Sequence, residues 1–223
     1  MLAIPSKRCE RALVSFLDRP EIEAILAAPD RATFIGRRDH ALLTLAAQTG
    51  LRLSELTGLH RSDLHLDGTG AHVCCEGKGR KQRTTPLTHQ TVAVLTVWLK
   101  EVSPAPDAPL FPSRLGGRLS PDAFQRLVRV YTEAAAAKLP SLKGKHVTPH
   151  VFRHTAAMEL VKADVDSNVI ALWLGHESVQ TTQIYLHADL ALKEQALART
   201  QPLDATPGRY RPPDTLLAFL EAL

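Results

Sequence analysis

Residues 62–87 break the helical period that runs through the rest of this 223-residue chain. Three short runs, 62–66, 71–76 and 81–87, have the length and composition of strands. Asp67-Gly68 between the first two is a strong hairpin signal, and Gly77 and Gly79 flank a second tight turn. Strands joined by such short turns pair antiparallel, because a parallel neighbour needs a long crossover. The expected fold is therefore mainly α with a small three-stranded antiparallel β-sheet set inside it.

The helical segments carry their own start and stop signals. Asp18 and Glu21 have the spacing of a capping box, with Pro20 in the first turn, so a helix is expected from Arg19 to Ala28. A second, dense in Ala and Leu and hence buried on most sides, should run from Arg37 to Gln48 and end at Gly50. A short helix is expected over Ser54–Leu59, and another over Gln90–Glu101, followed by a proline-rich loop from Ser103 to Pro112. Ser120-Pro121 and Thr148-Pro149 open two more. In the first of these, Phe124, Leu127, Val128 and Tyr131 share one face. Residues 167–174 and 188–199 complete the helical set. Pro202 to Pro213 reads as a tether, and residues 214–223 as a final amphipathic helix.

The apolar fraction of 44% supports a sizeable core, and a net charge of +4 is compatible with a polyanionic partner without requiring one. Cys9, Cys74 and Cys75 form an odd set with no CxxC, which argues against a disulfide framework and against a zinc site; reduced thiols in a cytoplasmic protein are expected. No window approaches the roughly 20 apolar residues of a membrane span. No HxH, DxD or paired-carboxylate cluster favours a metal-dependent nuclease.

Four segments carry chemistry. Thr49-Gly50-Leu51-Arg52-Leu53-Ser54-Glu55 sets Arg52 at a turn between helices, where an ordinary i, i+3 pair with Glu55 would also account for it. Gly77-Lys78-Gly79-Arg80-Lys81-Gln82-Arg83 places four cations on a tight turn; a solvated charge run is one reading, reach into a nucleic-acid groove the other. In His150-Val151-Phe152-Arg153 the spacing puts histidine and arginine on one face of a helix start, where both could meet a phosphate. Gly175-His176 ends a helix, and Tyr185 follows nine residues later. A tyrosine hydroxyl, with a free pKa near ~10, is a poor nucleophile unless its surroundings activate it.

Together TGLRLSEL, GKGRKQR, HVFRHT and LGHESVQTTQIYLH resemble, in order, context and spacing, the Xer- and integrase-like catalytic domain of the tyrosine recombinase (phage integrase) family. The resemblance covers roughly residues 15–200. Type IB topoisomerases use a similar residue set but lack the TT-x-x-Y-x-H pattern. The resemblance implies that Tyr185 attacks the scissile phosphate and forms a 3′-phosphotyrosyl link. Arg52 and Arg153 would neutralise the non-bridging oxygens and Lys78 would protonate the departing 5′ oxygen. His150 would accept or relay the tyrosine proton, His176 would hydrogen-bond the phosphate, and Glu55 would orient the arginine beside it. Arg80, Lys81 and Arg83 are expected to contact DNA. No metal, ATP or other cofactor is implied. The partners are double-stranded DNA and further protomers in a tetrameric synapse.

Most family members carry an extra N-terminal helical domain that clamps the far side of the DNA. Nothing here matches it, and residues 1–14 are expected to be a linker or remnant. A truncation, a single-domain member and a gene fragment all fit this. Residues 214–223 fit docking on a neighbouring protomer or folding back in cis. The competing function is a DNA-binding fragment or regulator without recombination activity of its own.

Overall fold

The computed structural model describes residues 16–67, 70–77, 82–163, 165–175 and 197–198. Among the described residues, seven α-helices and three strands follow in the order α1 (Arg19–Leu26), α2 (Phe34–Thr49), α3 (Leu53–Gly58), β1 (Leu64–His65), β2 (His72–Glu76), β3 (Gln82–Pro86), α4 (His89–Leu99), α5 (Pro121–Ala136), α6 (Pro149–Lys162) and α7 (Ser167–Leu174). The sheet is antiparallel in the order β1-β2-β3. The fold class read from the sequence is the one observed. No helix among the described residues is long and apolar enough to cross a membrane.

Helix starts follow the local chemistry of the caps. Thr33, Thr88, Ser120, Thr148 and Asp166 each accept a bond from an amide of the first turn, satisfying donors that the helix itself leaves orphaned. At α1 the Asp18 amide donates to Glu21 Oε2 at 2.9 Å. The helix α2 begins three residues earlier than the Ala/Leu pattern indicates, because Thr33 captures the Gly36 amide at 3.0 Å. The strand expected over 62–66 shrinks to Leu64–His65. Residues before it instead form a 3-10 turn, Arg61–Asp63, in which Asp63 accepts the His60 amide at 2.7 Å. The amides of Arg61 and Ser62 pair with carbonyls of the proline-rich loop rather than with a strand.

The sheet has two distinct faces. Its register pairs Leu64 with Val73, Val73 with Thr85 and Cys75 with Arg83, and all five side chains are buried. The opposite face carries His65 opposite His72 and Cys74 opposite Thr84. Helix α2 is central: it packs against α1, α4 and α6, while α5 covers α1 and α3. Phe124, Leu127 and Val128 of α5 are buried as their spacing predicts.

A smaller core of Leu160, Val165, Trp173 and Leu174 joins α7 to α6. Trp173 also donates its indole N–H to the Thr49 carbonyl at 3.1 Å, tying α7 to the end of α2. That end is closed by Gly50, left-handed at φ 61°. A Cβ there would lie 3.1 Å from both Ala156 Cβ and Leu174 Cδ2. Gly50→Ala should therefore destabilise the fold by about 1–2 kcal/mol from backbone strain alone. Urea unfolding should show this as a lower midpoint at an unchanged m-value.

Candidate active site

Arg52 sits immediately before α3 in extended conformation, so its amide has no intrahelical partner. Glu55 supplies one: Oε2 accepts the Arg52 amide at 2.7 Å, and Oε1 accepts Arg52 Nη1 at 2.9 Å. The Glu55 side chain is only 2% exposed. A carboxylate that deep must be fully paired, since unpaired burial costs several kcal/mol. Its remaining partner comes from β3, where Arg83 Nη2 reaches Oε2 at 2.5 Å.

Two further segments complete the cluster. Arg153, on the first turns of α6, donates from Nη1 to the Gly50 carbonyl at 2.7 Å and from Nη2 to the Leu174 carbonyl at 2.6 Å. Arg83 Nη1 bonds the same Leu174 carbonyl, and Arg52 Nη2 reaches the Gly175 carbonyl at 2.7 Å. The last carbonyls of α7 are thus satisfied by guanidinium groups, which the negative end of the helix dipole also favours. Gly175 is left-handed at φ 67°, and a Cβ on it would run into the Arg83 guanidinium. Only glycine lets β3 approach the end of α7 this closely.

Two guanidinium groups, those of Arg52 and Arg83, pair with the Glu55 carboxylate, and Arg153 joins them through the Leu174 carbonyl that it shares with Arg83, so the cluster carries three positive charges against one negative, a surplus of two. Burial, then the charges of Arg52 and Arg83, push the Arg153 pKa down to about 10, against the pull of Glu55. Each guanidinium has five N–H donors, and the bonds above use two each on Arg52 and Arg153. Donors therefore remain for an oxyanion, and planar forks suit a phosphate.

His150 is exposed at the start of the same helix, and His154, one turn on, is also exposed. Partial desolvation, then His150 and Arg153, hold the His154 imidazole below its ordinary range. The shared face expected for His150 and Arg153 resolves into two depths, with Arg153 turned inward and His150 at the rim.

Arg83 departs from its expected place. Grouped with Arg80 and Lys81 as a DNA contact, it instead lies 9% exposed beneath the sheet, bonded to Glu55 and Leu174. The register puts it opposite Cys75 on the core face. The alternation of buried Val73 and Cys75 on β2 was a signal for this, once the pairing of the strands is known. Lys78, Arg80, Lys81, His176 and Tyr185 lie outside the described residues, as do residues 214–223. Of the helix expected over 188–199, only residues 197 and 198 are described, and both are helical.

Comparison with known proteins places this geometry. The model of the phage integrase family matches residues 15–191. The chain is 59% identical, over all of its 223 residues, to the putative integrase/recombinase y4rC of Sinorhizobium fredii, and covers 67% of that protein. It is 37% identical over 182 residues to the tyrosine recombinase XerC of Pseudomonas entomophila, aligning 81% of its own length with 58% of that relative. The chain thus spans little more than half of that protein. The crystal structure of XerA recombinase superposes with a TM-score of 0.64 at 28% identity, covering 86% of this chain and 66% of that one.

The buried Glu55 gives a direct stability test. Glu55→Ala strands two guanidinium groups and should cost about 3–5 kcal/mol. Pairing Glu55→Gln with Arg83→Met should cost less than the sum of the two single changes, because neither leaves the other's charge buried alone. A denaturant-unfolding cycle over the four proteins measures the coupling.

Proposed function

We propose, because the chain belongs to the phage integrase family, that it cuts and rejoins DNA strands through a covalent bond between Tyr185 and a 3′ phosphate. The observation that carries this reading is the cluster of Arg52, Arg83 and Arg153 about Glu55. It is a preorganised cationic site whose donors are already fixed before substrate arrives. Catalysis by fixed donors of this kind avoids reorganisation as charge builds in the transition state.

In this reading the Tyr185 oxygen attacks phosphorus and the bond to the 5′ oxygen breaks. The tyrosine proton passes to His150, and Lys78 delivers a proton to the departing 5′ oxygen. Arg52 and Arg153 stabilise the non-bridging oxygens of the pentacoordinate state, and His176 adds a hydrogen bond. Glu55 acts through the arginines by holding them in place. The phosphotyrosyl bond conserves the energy of the diester, so a 5′ hydroxyl from a second strand reverses the step and joins new ends without ATP. Arg80 and Lys81 contact the DNA backbone. Other protomers complete a synapse, with residues 214–223 as the connecting helix. The cytoplasm is the compartment this reading assigns.

A suicide duplex, nicked so that the cleaved strand diffuses away, tests the proposal. Incubated with the protein in EDTA, it should yield a covalent adduct on a denaturing gel, and Tyr185→Phe should yield none. Arg153→Ala should slow adduct formation by about 10²–10³-fold. A protein that binds the duplex but forms no adduct would be the DNA-binding regulator instead.

A further inference from the structure

The outer face of the sheet holds a cluster that the reaction above does not use. His65 of β1 and His72 of β2 are directly paired across the strands, and Cys74 follows His72 by two residues on the same face. The two imidazole rings stack with centroids 4.7 Å apart. One ligand atom from each of the three side chains lies within 4.8 Å of the others. Cys75 points to the opposite, core side, so adjacent cysteines serve different faces.

We infer that His65, His72 and Cys74 bind a divalent ion of zinc type. The donor set is two imidazole nitrogens and one sulfur, which suits a borderline-soft tetrahedral ion and excludes magnesium or calcium. With metal–ligand bonds of roughly 2.0–2.3 Å, tetrahedral ligand atoms sit about 3.3–3.8 Å apart, so closure asks for a movement of about 1 Å.

The surroundings are arranged as a metal site needs. His72 Nδ1 lies 2.7 Å from the Gly70 carbonyl. A carbonyl only accepts, so Nδ1 carries the hydrogen and Nε2 presents its lone pair. A second bond of this kind is the usual orienting partner of a metal-bound histidine. Cys74 Sγ has the Thr84 hydroxyl 3.7 Å away, positioned to donate to a thiolate. His65 is exposed, so the fourth position opens to solvent and takes water or an outside donor.

The sequence concealed this site because its ligands do not follow CxxC spacing. They come from H-x6-H-x-C, which becomes a cluster only when the β1–β2 register sets residue 65 against residue 72. The ion would tie β1 to β2. It takes no part in strand cleavage, and the inference does not rest on that function.

Cobalt titration of the untagged, reduced protein tests it. Wild type should develop a thiolate-to-cobalt charge-transfer band and the strong visible bands of tetrahedral cobalt, both erased by added zinc. Cys74→Ser should lose the charge-transfer band, and His65→Ala should weaken binding by about tenfold or more. His65 is exposed, so its variant keeps the fold, which an unchanged urea midpoint of the metal-free protein would verify. No thiolate band in wild type, a band that survives Cys74→Ser, or equal affinity in His65→Ala would each overturn the assignment.

Discussion

The Glu55 carboxylate is the interaction on which the site depends. It is buried, and a buried charge is tolerated only where partners compensate for lost water. Those partners come from the turn before α3 and from β3, and their own remaining donors extend to α7. Segments as far apart as Arg52 and Gly175, 123 residues in sequence, are thereby fixed in one constellation. Without the carboxylate, Arg52 and Arg83 would lose their shared counter-charge and face Arg153 with only neutral carbonyls as partners. With it, one negative charge stands against three positive ones, a surplus of two.

Helix α7 is the most lightly supported part of this arrangement. Its small core with α6 and the Trp173 bond to Thr49 are what bring its terminal carbonyls to the arginines. Gly50 and Gly175 matter for the same reason. Each closes a helix in left-handed conformation, and each exposes a carbonyl that a guanidinium uses. The polypeptide turns that end two helices are therefore also acceptors that aim the charged groups.

Most helices were legible in the sequence because their signals are local. Pro121 after Ser120, Pro149 after Thr148 and Gly50 after Gln48-Thr49 each mark an end by the chemistry of two or three residues. What lay hidden depends on pairing across distance. Strand β1 lost residues to a turn that answers to Asp63 and to the proline-rich loop. Arg83 sits in a run of cations that reads as solvated, yet the pairing of β3 with β2 sets it opposite the buried Cys75. His65, His72 and Cys74 gather for the same reason on the other face. The arginine–glutamate pair at positions 52 and 55 was visible as spacing, but its burial was not, and burial is what makes it more than a surface ion pair.

The most direct measurement asks whether the surplus charge acts on the scissile phosphate. Arg52 is 34% exposed, so its removal spares the buried pair of Glu55 and Arg83. Single-turnover cleavage by wild type and Arg52→Ala can be compared on two suicide duplexes. One carries an ordinary phosphate, the other a methylphosphonate that lacks one negative oxygen. If the arginine neutralises that oxygen, the ~10²–10³-fold deficit of the variant on phosphate should shrink by at least about tenfold on methylphosphonate. An equal deficit on both substrates would contradict the role assigned to the cluster.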